Sequence, residues 1–318
     1  MNSQSERRLV KPHALHHGDT VGIVAPASHF RRDDFESGCE ALRKMGYNPV
    51  YSDSIFERDL YFAGSVELRV RELHEMFERD DVKAILCARG GYGSNYLLPR
   101  LNLKKIAAKP KIFVGYSDLT SLSTYLYDAL GLVMFHGPMV AKDFARPDGI
   151  DLQSWQRAVE GSESWELGFD GNSGIKSLRE GSAEGVLYGG CLSMLAESLG
   201  TPYEIRTEDT ILFIEDLATK PYQIDRMLMH LKLAGKFTGV GGIVFGEMLD
   251  CAAPPNQGFT LEEVVMRIVG DLNVPVAYGV RSGHVSRGNI TLPIGVRVRL
   301  NSSSSGVSLE FLEPATIA

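Results

Sequence analysis

Ile112-Phe113-Val114-Gly115-Tyr116-Ser117-Asp118-Leu119 passes from an unbroken apolar run, through a glycine and a serine, into a stretch with helical spacing of apolar residues to about Ala129. An apolar run of that kind reads as a strand buried on both faces, which is the signature of a parallel sheet. Outward from this unit the same alternation repeats. Val21-Gly22-Ile23-Val24, Ala84-Ile85-Leu86-Cys87 and Val133-Met134-Phe135 read as strands, and Asp34 to Met45 and Val66 to Phe77 as amphipathic helices. Strand and helix in alternation predict a parallel sheet covered on both faces. In open sheets of this type ligands sit beyond the carboxyl ends of the strands, so the loops after Val24, Cys87 and Gly115 are the places to search.

Between about Ala145 and Gly181 the pattern gives way to Gly, Ser, Asp and Glu, with Trp155 and Trp165 as the large apolar residues. This segment reads as a crossing linker with one short helix near Leu152 to Val159. Beyond it lie strands at Gly185 to Tyr188, Ile211 to Ile214 and Ile243 to Phe245, and helices from Leu192, from Pro221 and over Leu261 to Val269. Closing strands around Val296 to Val298 and Val307 to Phe311 flank a polar turn at Ser302 to Ser305. The division expected is an N-terminal α/β domain over 1–145, a linker over 146–180 and a second domain over 181–318.

The chain has 318 residues, of which 44% are hydrophobic and 23% charged, with 33 Lys plus Arg against 40 Asp plus Glu for a net charge of −7. This is enough chain to bury a core without disulfide or metal staples. The mildly acidic balance gives no footprint for nucleic acid. Cys39, Cys87, Cys191 and Cys251 form no C-x-x-C pair, so reduced cytosolic thiols and no structural metal are expected. Arg7-Arg8 before the apolar Val21 to Ala27 imitates a secretion signal, but Lys11, His16, His17 and Asp19 interrupt it. No apolar run approaches the ~20 residues that span a bilayer.

Chemistry concentrates in few places. Ser117 at a strand-to-helix turn resembles a nucleophile elbow, with the helix N-terminus and the next amide facing a developing oxyanion. The second glycine of G-x-S-x-G is replaced by Leu119, and a helix N-cap is the competing role for Ser117. Arg89-Gly90-Gly91-Tyr92-Gly93-Ser94 follows a buried strand, and its glycines permit the close backbone approach of a phosphate cradle or an oxyanion hole. Of eight histidines, His136 and His284 stand at a strand end and in a glycine-flanked turn, where a base for a serine would be held. Glu215 and Asp216 end an apolar strand. Alternation points them to opposite faces, so one of them can orient that base.

Together these residues resemble the LD-carboxypeptidase (muramoyl-tetrapeptide carboxypeptidase) family, which includes the microcin C self-immunity peptidases. The resemblance runs over nearly the whole chain: Ile23 to Ser28, Arg89 to Gly93, Val114 to Asp118, His136-Gly137-Pro138, Leu187 to Gly190, Ile214-Glu215-Asp216, Lys220 to Arg226 and Gly283-His284. It implies Ser117 as nucleophile, His284 as base, Glu215 as its orienter, and the backbone N–H groups of Gly91 and Asp118 as the oxyanion hole. Arg89, Tyr92 and His136 are expected to line the substrate pocket. One departure stands out: after Gly189-Gly190 the family usually has Asn, and here Cys191 stands there, a poor helix cap.

The fold expected is therefore α/β, with a flavodoxin- or Rossmann-like parallel-sheet domain followed by a smaller mixed, barrel-like α+β domain. The resemblance implies a cytoplasmic serine carboxypeptidase without cofactor or metal. Its partner would be a muropeptide, from which it removes a C-terminal D-amino acid, with no nucleic acid or membrane partner and a possible homodimer. Two alternatives differ in class: a microcin-type hydrolase of aminoacyl-nucleotide conjugates, and a non-enzymatic two-domain ligand-binding protein.

Overall fold

The computed structural model describes residues 9–161, 163–169 and 174–318. Arg7-Arg8 lies outside the described residues, as do 162 and 170–173 of the segment expected as a linker. In chain order the first half contains β1 (Thr20–Val24), α1 (Arg32–Lys44), β2 (Asn48–Val50), α2 (Val66–Glu78), β3 (Val82–Cys87), α3 (Leu103–Ala108), β4 (Ile112–Val114), α4 (Thr120–Leu130) and β5 (Met134–His136). Then come α5 (Leu152–Val159), β6 (Trp165–Phe169), β7 (Lys176–Arg179), β8 (Gly181–Cys191), α6 (Leu192–Glu197), β9 (Thr210–Glu215), α7 (Pro221–Leu233), β10 (Gly242–Gly246), α8 (Leu261–Val269), β11 (Val276–Val280), β12 (Leu292–Ile294), β13 (Arg297–Ser303) and β14 (Gly306–Phe311).

The first sheet has the order β12-β5-β4-β3-β1-β2. All its pairings are parallel except β12 with β5. The apolar runs read as buried strands are so: β4 is fully buried, and only Lys83 of β3 reaches solvent. α4 buries Leu122 and Leu126 and stops at Gly131, whose φ of 70° supplies the left-handed turn that ends a helix.

The second sheet has the order β6-β14-β13-β8-β9-β10-β11-β7, with a parallel centre from β8 to β11 and antiparallel flanks. Its ladder is open, with edges at β6 and β7, so the barrel-like form expected from the sequence is reached only in part. Ser302 Oγ of β13 does donate to Ser177 Oγ of β7 at 2.8 Å, which shows how far the sheet curls.

Two findings alter the chain organisation expected above. The 146–180 segment carries its short helix, opened by Asp151 accepting from the Ser154 N–H at 2.8 Å, but also both edge strands of the second sheet. Composition hid them because an edge strand needs few apolar residues when a distant partner covers it. Trp165 stacks on Phe311 with ring centroids 4.0 Å apart. In the other direction, Leu292-Pro293-Ile294 leaves the C-terminal half to pair antiparallel with β5, Leu292 opposite His136. That excursion carries the preceding loop, with His284, onto the carboxyl edge of the first sheet.

Candidate active site

Ser117 follows β4 with φ of 66°, a left-handed conformation that costs a non-glycine residue about 1–3 kcal/mol. The next residues form a tight helical turn that runs into α4. Asp118 is therefore among the first residues of a helix, where N–H groups have no intrahelical acceptor.

The glycine loop packs directly on this turn. A Cβ on Gly90 would lie 2.8 Å from Ser117 Cβ, so no side chain fits there. Gly91 has φ of 105°. The buried Asp118 carboxylate accepts from the N–H groups of Gly93 (3.2 Å) and Ser94 (2.8 Å), while Ser94 Oγ donates to the Asp118 carbonyl at 2.7 Å. Burial pushes the Asp118 carboxyl up, and the Ser94 and Gly93 donors and Arg69 only partly offset it. Arg69, itself buried, donates to the carbonyls of Pro26 (2.8 Å) and Gly93 (2.9 Å) and so ties the loop to the end of β1. Ser28 adds a further tie by accepting the Tyr92 N–H at 3.1 Å.

Glu215 ends β9 and is completely buried. Its Oε2 accepts from both the Nδ1 (2.7 Å) and the backbone N–H (3.0 Å) of His284. Burial alone would raise this carboxyl, but His284 and His136 outweigh it and hold it well below the usual carboxylate range. An ionised carboxylate only accepts, so the proton of neutral His284 resides on Nδ1 and leaves Nε2 as the basic nitrogen. The pocket that holds the pair admits no side chain at Gly283, where a Cβ would meet Glu215 Cδ at 2.6 Å and His136 Cε1 at 2.7 Å. Tyr116, the chain neighbour of Ser117, presents its ring edge-on to His284 at 5.1 Å.

The two adjacent carboxylates diverge as strand alternation requires. Asp216 Oδ2 accepts the Ser193 N–H (2.9 Å) and Oγ (2.8 Å), and its Oδ1 accepts from Leu217 N–H and Thr219 Oγ1. Asp216 thus caps α6, the task that Cys191 at the N-cap position does not perform. The Cys191 N–H instead donates to Thr120 Oγ1 at 3.0 Å and joins β8 to the start of α4.

His136 does not face open solvent as a pocket wall would. It is 3% exposed, its Nδ1 lies 3.0 Å from Ser282 Oγ, and its Nε2 lies 3.7 Å from Glu215 Oε1. Its place was legible as a strand end, but its partners come from residues far away in the chain. Arg89 and Tyr92 are exposed, Arg89 donating to the His29 carbonyl at 3.0 Å and Tyr92 joining a cluster with Tyr61, Phe62 and Tyr96.

Among the described residues one group, Cys191, Glu215 and His284, brings metal-ligand atoms within 4.8 Å of one another. Burial, then Glu215 and Asp216, push the Cys191 thiol up, so it stays protonated, and Glu215 and His284 are bonded to each other. This donor set is committed to acid–base pairing. No helix among the described residues is long and apolar enough to cross a membrane.

Known proteins share this fold and sequence pattern. Residues 21–137 match the LD-carboxypeptidase N-terminal domain and residues 184–300 the LD-carboxypeptidase C-terminal domain. The chain is 38% identical over 306 residues to the probable murein peptide carboxypeptidase of Bacillus subtilis, covering 94% of each chain. It is 30% identical to the microcin C7 self-immunity protein MccF of Escherichia coli, covering 97% of each. The crystal structure of a muramoyltetrapeptide carboxypeptidase from Oxalobacter formigenes superposes with a TM-score of 0.83 at 29% identity, over 93% of this chain and 99% of that one. With both halves matched and the length of its relatives spanned, the chain belongs to the LD-carboxypeptidase family.

Proposed function

We propose that this protein is a serine LD-carboxypeptidase that removes the C-terminal D-alanine from murein-derived tetrapeptides, cutting the amide between an L-centre and the D-residue. The observation that carries the reading is the Glu215–His284 pair, buried and aligned at 2.7 Å, in a chain of this family whose Ser117 sits on a strained strand-to-helix turn. In the proposed mechanism His284 Nε2 takes the Ser117 hydroxyl proton as Oγ attacks the scissile carbonyl, and Glu215 stabilises the imidazolium. The N–H groups of Gly91 and Asp118 receive the oxyanion. His284 returns its proton to the leaving amine of D-alanine, and water, activated by the same histidine, releases the acyl-enzyme. His136, beside the second oxygen of Glu215, acts on that carboxylate rather than on substrate.

The likeness to MccF, whose solved structures include complexes with aspartyl sulfamoyl adenosine and glutamyl sulfamoyl guanosine, supports a second substrate class, aminoacyl-nucleotide conjugates. The experiment is kcat/KM on one preparation for the tetrapeptide ending in free D-Ala, its C-terminal amide, its L-Ala epimer and an aspartyl-adenylate-type conjugate. Preference for the first supports the reading. Faster hydrolysis of the conjugate overturns the substrate assignment and leaves the roles of Ser117, Glu215 and His284 intact. The reading also carries a cytoplasmic setting and a homodimer, tested by cell fractionation and by sedimentation, and a domain boundary near residue 145, tested by limited proteolysis.

A further inference from the structure

Lys142 makes no ion pair among the described residues. It sits in the turn after β5, its N–H donating to the Met139 carbonyl at 3.3 Å, and its side chain is partly buried. Among the described residues its ammonium has neither a carboxylate within ion-pair distance nor a hydrogen-bond acceptor. Its near contact is the face of Tyr116, with Nζ 5.2 Å from the ring centroid. The adjacent Asp143 is turned inward, where its oxygens accept from Tyr116 OH (3.4 Å) and the Met139 N–H (2.9 Å). Burial lowers the Lys142 ammonium, Asp143 and then Glu215 oppose it, and Arg146 and Arg89 add smaller contributions to the lowering. Arg146 is anchored beside the histidine loop by donating to the Ser286 carbonyl at 2.6 Å. Arg146 also pairs with Asp148 at 3.7 Å, so Lys142 is the cation that stands against the chain neighbour of Ser117 without an ion pair among the described residues.

An exopeptidase must meet the terminal carboxylate close to the bond it cuts. The carboxylate carbon of the last residue is three bonds from the scissile carbonyl carbon, about 3–4 Å away. A cation that receives it must stand one side chain away from the reacting serine and histidine. Tyr116 meets that condition as a carrier, since it precedes Ser117 and touches His284 edge-on. The ring is fully buried and the ammonium over it is part-buried, and a part-buried cation gains most from an anion that arrives with few other partners.

We propose that Lys142 is the carboxylate receptor of the substrate-binding cleft, pairing with the free C-terminal carboxylate of the peptide while Arg89 and Arg146 contribute to the local positive field. This rests on the carboxypeptidase reading for the identity of the ligand, but not for the existence of an anion subsite.

The test measures binding apart from turnover. In a Ser117→Ala background, calorimetry gives Kd for the tetrapeptide ending in free D-Ala and for its C-terminal amide, with Lys142 present or changed to Met or Arg. With Lys142 the free acid is expected to bind at least about tenfold more tightly than the amide, the scale of a charge-assisted contact. Lys142→Met is expected to bring the ratio close to one through loss of acid binding, and Lys142→Arg to restore part of it. An acid-to-amide ratio that survives Lys142→Met, a ratio near one with Lys142 present, or equal weakening of both ligands each overturns the proposal. Thermal midpoints of the variants show that they remain folded. Release of D-alanine by the unaltered enzyme is scored separately. Binding that depends on Lys142 without such release rejects the carboxypeptidase reading and leaves the subsite standing.

Discussion

One carboxylate oxygen, Glu215 Oε2, accepts two hydrogen bonds from a single residue, the ring Nδ1 and the backbone N–H of His284, at 2.7 and 3.0 Å. The double attachment fixes the imidazole in position and tautomer at once. Glu215→Gln keeps the shape but offers an amide that can donate toward Nδ1 and stabilise the wrong tautomer. Turnover is expected to fall by about 10²–10⁴-fold, the scale of losing the orienting member of a triad. Steady-state kcat with an unchanged circular dichroism spectrum checks it, and a loss below about fivefold, far under that scale, would remove Glu215 from the mechanism.

The same pair predicts a pH dependence of stability. The folded-state carboxyl is held below its unfolded value of about 4.3, so its contribution is complete above that pH and disappears as pH falls below it toward the folded value. The difference in unfolding free energy between the unaltered protein and Glu215→Gln should therefore shrink as pH falls below about 4. Urea titrations from about pH 5 to about pH 3 measure it, and a difference that stays constant over that range contradicts the assignment.

Ser117→Ala is expected to lower turnover by roughly 10³-fold or more, because members of a triad act as a unit. Alanine retains the strain of a φ of 66°, whereas glycine does not. Ser117→Gly should be as inactive as Ser117→Ala yet more stable than it by about 1 kcal/mol in urea unfolding. A Ser117→Ala variant with more than about a tenth of the original rate would rule out the nucleophile.

Gly90→Ala tests the contact between the glycine loop and the serine turn. Its new Cβ would lie 2.8 Å from Ser117 Cβ and 3.1 Å from Ser117 Oγ, so one of the two segments must move. We expect a stability cost of about 1–3 kcal/mol and a fall in kcat of about 10²-fold, since displacements near 1 Å at reacting groups have that effect. Unchanged kcat would show that the loop is not part of the reacting geometry.

Activity should survive prolonged chelation, since the one group of ligand-type side chains among the described residues is engaged as a hydrogen-bonded pair beside a protonated thiol. Dialysis against a chelator followed by assay measures this. Loss of activity restored by zinc alone would assign the Cys191, Glu215 and His284 group a metal instead.

The elements of this protein were largely legible in its sequence where the determining contacts are local. The buried run Ile112 to Val114, the helix opened by Pro221 and the helix Leu261 to Val269 with its Thr260–Glu263 capping box carry their own signals of period, φ and cap. Trp165 to Phe169 and Lys176 to Arg179 were not legible as strands, because an edge strand is defined by hydrogen bonds to chain far away, β14 and β11 here. Ser117, Glu215 and His284 were each conspicuous at a turn or a strand end, and kinship supplied their grouping. The choice between Glu215 and Asp216 stayed open at the level of alternation, which says only that the two diverge. Tertiary structure distinguishes their surroundings, placing Ser193 against Asp216 and His284 against Glu215. The sequence by itself determined which residues occupy the carboxyl ends of the strands, since that follows from periods of two and 3.6. The return of β12 to the first sheet, the inward turn of His136 and the isolation of Lys142 over Tyr116 were decided only by tertiary structure, because each depends on packing between segments that no local period connects.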